Sequence, residues 1–176
     1  LLGADIRRYG DRNPGTYNVL RAGGIVKAAP ALLFEVGKGL AAGLIAQSAL
    51  SAAPAWIWVA GVIAPIAGHA FTPFLRFRGG KALAVTLGVW AAIAPLPVAV
   101  AYGGLLLVQE VTWKRMPDAI KVSIGMLAGL VAIRTLGLAP IFRVVWAVNW
   151  LIMMVKQWQY GTLFVGSDTK YPKISA

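Results

Sequence analysis

His69-Ala70-Phe71-Thr72-Pro73-Phe74-Leu75-Arg76-Phe77-Arg78-Gly79-Gly80-Lys81 sets three cations and a double glycine between two long apolar runs. Charges at the edge of a bilayer are costly and are retained where they have work to do. Paired glycines permit backbone conformations in which successive N–H groups converge on an anion. A helix predicted from residue 82 onward would point its positive dipole end at the same place. The pattern predicts a phosphate site at a membrane surface. The competing reading is that Arg76, Arg78 and Lys81 are loop charges that only set topology. The glycines ahead of the lysine favour the phosphate site.

The runs on either side set the fold class. Of 176 residues, 59% are hydrophobic and only 13% are charged, and the mean hydropathy is +0.71. A soluble domain could not cover itself with so little polar surface. The expected architecture is an all-α, integral membrane helical bundle, one domain over residues 1–176. Predicted spans cover 28–50, 55–72, 82–94, 98–113, 117–136 and 139–157. Pro95-Leu96-Pro97 divides what would otherwise be one overlong helix, and Gly137 and Pro140 bracket the last outer turn. Trp56 and Trp58 are candidate interfacial anchors, and Gly125, Ala128 and Gly129 permit close helix packing. Residues 4–27 are polar and basic and read as a loop or interfacial element. Glu35 and Lys38 lie three apart within the first span. They share a helical face, either as a neutralising ion pair or as a border of the active site.

The charges also choose an orientation. The formal net charge is +11, which in a soluble protein would suggest nucleic acid. Here it fits loops that face anionic head groups and anionic substrates, so no nucleic-acid partner is expected. If 4–27 lies in the cytosol, then 73–81, 114–115 and the C-terminal tail lie there too. The chain has no cysteine, which excludes disulfides and thiolate chemistry. One histidine and six acids argue against a zinc or iron centre.

Two polar segments carry a further signal when read together. The first has Asp5-Ile6-Arg7, Gly10-Asp11-Arg12-Asn13-Pro14-Gly15-Thr16-Tyr17-Asn18 and Arg21. The second has Gly68-His69, Pro73-Phe74, Phe77 and Gly79-Gly80-Lys81, with Glu35-Val36-Gly37-Lys38-Gly39 between them. In order and spacing these resemble the bacterial acyl-phosphate:glycerol-3-phosphate acyltransferase (PlsY) family. Its loops read D-[LI]-R-x-x-G-S-G-N-x-G-A-T-N-x-x-R and G-H-x-x-P-x-[FY]-x-x-F-x-G-G-K, with D-x-x-K-G between. The resemblance implies seven membrane helices, of which about six are present. Leu1-Leu2-Gly3 would then be the end of a missing first helix.

The resemblance further implies acyl transfer from acyl phosphate to the 1-hydroxyl of glycerol 3-phosphate, giving lysophosphatidic acid for phospholipid synthesis. It implies a multi-pass protein of the bacterial inner membrane, with the active site on the cytosolic face and no metal or organic cofactor. The expected partners are glycerol 3-phosphate, acyl phosphate and membrane lipids, and the expected state is a monomer. Candidate catalytic residues are Lys81, Asn13, Asp11 and His69. Candidate substrate-binding residues are Arg21, Asn18, Lys38, Arg78, Gly79 and Gly80. Arginine offers bidentate geometry to phosphate and lysine a point charge. The glycine backbone could hold the acyl phosphate or a developing oxyanion, the asparagines could orient hydroxyls, and His69 could orient substrate or the loop.

The chain departs from the family pattern in places. The serine of the first loop is Asp11 and its following glycine is Arg12. The carboxylate would repel phosphate unless Arg12, with Arg7 or Arg8, neutralises it; alternatively it serves as a base. The family's third motif, K-H-R-x-N-I, reads Lys156-Gln157-Trp158-Gln159-Tyr160-Gly161 here. Two alternatives are therefore carried: a diverged homologue with lost or altered acyl transfer, and a small anion transporter. The other glycerol-phosphate acyltransferase class, built on H-x-x-x-x-D, is excluded because the fifth residue after His69 is Phe74.

Overall fold

A computed structural model describes residues 5–113 and 115–162. Leu1-Leu2-Gly3, Lys114 and the tail from residue 163, which figure in the expected topology, lie outside them. Among the described residues the chain forms six α-helices and two short 3-10 turns, with no strand. The helices are α1 (Thr16–Ala49), α2 (Ala55–Ala70), α3 (Leu83–Ile93), α4 (Leu96–Thr112), α5 (Asp118–Thr135) and α6 (Pro140–Gln159). Short 3-10 turns cover Ile6–Arg8 and Pro73–Leu75.

The prolines act where the sequence places them. Pro95 precedes α4 and Pro97 stands in its first turn, where a missing N–H costs nothing. The segment from Thr16 to Lys27 differs from the loop reading, because it is helical up to a break at Gly24 (φ 71, ψ −177). A polar first turn and a glycine free to take positive φ let a short helical arm turn into the spanning part of α1.

Small residues build the tightest helix pair. A Cβ on Gly39 would strike the Val85 carbonyl, one on Gly88 the Val36 carbonyl, and one on Gly43 the Ala92 methyl. Gly39 and Gly43 are one turn apart on α1, so α3 lies directly on its backbone, as small residues allow between membrane helices. Gly125 similarly admits Leu106 of α4, and Gly129 admits the Trp146 ring. The aromatic core joins three helices: Trp90 meets Trp146 edge-on at 4.4 Å, and Trp58 meets Phe142 at 5.5 Å. Of the two expected anchors, only Trp56 is exposed. Trp58 packs on Phe142 and donates to Gln47 Oε1 at 3.1 Å.

The outside of the bundle is apolar. Ile25, Val26, Leu33, Phe34, Leu107 and Leu127 are all exposed, as lipid-facing residues should be. Helix α1 and the segment Ala55–Leu75, which comprises α2 and the 3-10 turn after it, are long and apolar enough to cross a membrane. α3, with 11 residues, extends only about 16 Å. It therefore sits inside the bundle, where it delivers the segment before it, Gly79-Gly80-Lys81, to the helix ends.

Candidate functional site

The two polar loops meet. Asp11 Oδ2 lies 2.6 Å from Lys81 Nζ, so the N-terminal loop and the glycine loop occupy one face of the bundle. Asp11 also closes a local turn. Its Oδ1 accepts the Asn13 N–H at 3.1 Å and the Asn18 side-chain amide at 2.9 Å, and that amide also donates to the Asn13 carbonyl at 2.8 Å. Arg21 joins through Gly10. A Cβ on Gly10, whose φ is +50, would run into both Arg21 Nη1 and Asn18 Oδ1. Lys81, Asp11, Asn13, Asn18 and Arg21 are thus contiguous, as the motif spacing predicts.

Lys81 is not open, however. Its side chain is 6% exposed, and Nζ also reaches Asp118 Oδ2 at 2.9 Å. Lys121 continues the row, 3.2 Å from Glu110 Oε2 and 3.8 Å from Asp118 Oδ1. Asp11, Lys81, Asp118, Lys121 and Glu110 alternate in sign across four segments of the chain. Sequence reading missed the last three, although each is a charge in or beside an apolar span, which is itself the signal. It looked for the cation beside Asp11 among Arg12, Arg7 and Arg8, and did not foresee Lys81 there. Lys81 takes that role, while Arg7 binds Asp5 at 2.8 Å and Arg12 is exposed on the loop surface. Burial opposes the Asp11 charge, but the adjacent Lys81 ammonium and the two amide donors outweigh it and hold the carboxyl below its usual range.

Two clefts flank the glycine loop. One, of about 590 Å³, is lined by Glu35, Lys38, His69, Gly79 and Gly80 among others. Here Lys38 Nζ stands 2.7 Å from His69 Nδ1, so the lysine meets the histidine, and among the described residues no direct Glu35–Lys38 salt bridge is seen. The other cleft, of about 1100 Å³, is lined by Arg7, Asp11, Arg12, Arg76, Arg78 and Tyr160 among others. Arg78 therefore faces the second cleft, away from His69. Lys81 and Arg21 line neither: Lys81 is buried against Asp11 and Asp118, and Arg21 is half-buried.

The glycines allow close packing, and they do so without positive φ. Positive φ occurs at Arg76 (51), Phe77 (61) and Ala82 (64), not at Gly79 or Gly80. What Gly79 and Gly80 permit is close approach. A Cβ on Gly79 would strike the His69 and Ala70 carbonyls, and one on Gly80 would strike the His69 ring. The end of α2 thus lies directly against the loop. From the far side, the Tyr160 hydroxyl reaches the Gly79 carbonyl at 2.8 Å and the Arg78 carbonyl at 3.0 Å. Burial pushes Tyr160 up to about 12, so it stays a donor. Lys156, fully buried, lies 3.5 Å from the Phe77 carbonyl and over the Phe71 ring. Gln157 Oε1 accepts from the Thr162 hydroxyl at 2.5 Å, while its Nε2 is buried with no partner among the described residues.

The model of the family described as glycerol-3-phosphate acyltransferase matches residues 1–163. The chain belongs to the glycerol-3-phosphate acyltransferase family. Curated glycerol-3-phosphate acyltransferases are similar to it. That of Rubrobacter xylanophilus is 45% identical over 93 residues, 53% of this chain and 46% of the relative. That of Neisseria gonorrhoeae is 39% identical over 141 residues, 78% of this chain and 65% of the relative. The chain spans about half the length of curated relatives such as the first. Among solved structures, the glycerol 3-phosphate form of PlsY, an integral membrane glycerol 3-phosphate acyltransferase, superimposes with a TM-score of 0.77. It is 25% identical, covering 89% of this chain and 76% of that one. The lysophosphatidic acid form gives 0.73 at 24% identity, covering 84% and 74%, which speaks to the fold alone. The fold is that of a membrane-embedded member of the acyltransferase family, and the two loops on one face are its polar centre.

Proposed function

We propose that this chain is a single transmembrane acyltransferase domain. It moves an acyl group from acyl phosphate to the 1-hydroxyl of glycerol 3-phosphate, acting as a monomer in the bacterial inner membrane with the site on the cytosolic face. The observation that carries the reading is the junction of Asp11 with Lys81, which joins both family loops at one polar centre. The basic loops on that face fit the positive-inside rule.

Both substrates carry phosphate and one carries an acyl chain, so a site at the membrane surface suits both. The clefts on either side of the glycine loop give two places for anions, one beside Lys38 and His69, the other beside Arg12, Arg76 and Arg78. Asn13 Oδ1 and Asn18 Oδ1 are buried acceptors with no hydrogen-bond partner among the described residues. Such acceptors call for a donor, and a glycerol hydroxyl is one. In the reaction the 1-hydroxyl oxygen bonds to the acyl carbon as the carbon–oxygen bond to phosphate breaks. The departing phosphate takes the hydroxyl proton, so no protein base is required. Positioning and charge stabilisation supply the rate.

One observation favours the second reading, a homologue with altered transfer: Asp11 and Asp118 already saturate Lys81. An acyl-transfer assay decides between them. The full-length protein in lipid vesicles is given labelled glycerol 3-phosphate with acyl phosphate, acyl carrier protein or acyl-CoA as donor. Acyl phosphate alone should yield labelled lysophosphatidic acid. Product from another donor, or from none, would favour the altered homologue.

A further inference from the structure

The 2.7 Å contact between Lys38 Nζ and His69 Nδ1 fixes more than a position. A lysine ammonium has three donors and no acceptor. Nδ1 must then offer its lone pair. That leaves the ring neutral, with its hydrogen on Nε2. The opposite edge of the ring faces the glycine loop, since Nε2 is the nearest atom to where a Cβ on Gly80 would stand. Lys156 on α6 is the other cation acting on this ring.

We infer that Lys38 is a positioning residue that locks His69 as the Nε2–H tautomer, so that His69 donates a hydrogen bond into the cleft at Gly79–Gly80 and does not act as a base. The ligand it suits is an anionic oxygen of a bound acyl phosphate: a phosphate oxygen, or the carbonyl oxygen as it gains charge. The choice of ligand rests on the proposed acyl transfer; the tautomer does not. Lys38 is an exposed side chain at the cleft, so replacing it leaves the buried charge row intact.

The chain has one histidine, so histidine labelled with nitrogen-15 in the full-length protein reports this ring alone. In vesicles at neutral pH, NMR should show a protonated Nε2 and an unprotonated Nδ1. Lys38→Met should give a mixture of tautomers or an imidazolium, and Lys38→Arg should restore the wild-type pattern. A proton on Nδ1 in the wild type, or an unchanged ring in Lys38→Met, would overturn the inference. In the transfer assay, Lys38→Met should lower kcat by about tenfold or more, with Lys38→Arg recovering most of it. Equal kcat in Lys38→Met and wild type would remove the link to catalysis. If the wild type transfers nothing while the ring shows the Nε2–H tautomer, the proposed function has failed and the tautomer assignment stands.

Discussion

Asp11 is the residue at which this site differs most from the pattern it resembles. A serine hydroxyl would leave Lys81 partly free; a carboxylate 2.6 Å away engages it fully. A substrate phosphate must compete with Asp11 for the ammonium. Asp11→Ser should therefore retain or raise transfer from acyl phosphate, with KM for glycerol 3-phosphate falling as Lys81 is released. A drop in kcat with unchanged KM would instead make Asp11 a base. The same pair has a pH signature. The folded state holds the Asp11 carboxyl below its usual range, so its pairing contributes stability above the unfolded carboxyl value, about 3.9. That stability is lost as pH falls through the lower, folded value. Thermal unfolding in detergent should show wild type losing stability below about pH 4, and Asp11→Asn should lose less. The sequence alone identified Asp11 as a charge needing a partner. It named Arg12 because neighbours in sequence were the only candidates visible. Lys81 arrives through the packing of α3 into the bundle, which no local pattern encodes.

At the scale of elements, periodicity and punctuation carried most of the information. The proline pair separated α3 from α4 to within two residues of the observed ends, and the apolar runs located α2, α5 and α6. The start of α1 was hidden because its first turns are polar, and only Gly24 marks where the arm turns. The double glycine was recognised as important, but the packing role it plays was not foreseen. It provides room for the end of α2 rather than positive φ, and room depends on where another helix lies. Gly79→Ala should consequently push the loop off the His69 and Ala70 carbonyls and lower kcat by about a hundredfold, as a displaced site does. Gly104→Ala, whose new methyl would meet nothing closer than Val100 Cγ1 at 4.0 Å, should leave transfer unchanged. Equal activity in the two variants would show that the close approach is dispensable.

For the whole molecule, the decisive feature is that every polar loop of interest falls at one end. Contacts from Asp11 to Lys81, from Lys81 to Asp118 and from Tyr160 to Gly79 tie the N-terminal loop, the glycine loop, the start of α5 and the end of α6 together. The turn from Ser51 to Pro54 lies at the other end of α1. With no native cysteine, single cysteines report sidedness cleanly. In intact cells a membrane-impermeant thiol reagent should label Ser51→Cys and spare Arg12→Cys, which becomes reactive only after lysis. The reverse pattern would invert the orientation. Charge bias made the gathering of these loops at one end legible from the sequence, whereas the alternating row from Asp11 to Glu110 appeared only once the helices were assembled.

The central claim is that acyl transfer takes place at the polar centre around Lys81, and Lys81→Ala tests it most directly. Wild type and variant are compared in the same vesicles for conversion of labelled glycerol 3-phosphate and acyl phosphate to lysophosphatidic acid, with membrane insertion measured in parallel. The account predicts an inserted variant whose turnover falls by at least about a hundredfold. Wild-type turnover in Lys81→Ala would contradict it and reduce the lysine to a charge that orients the loop.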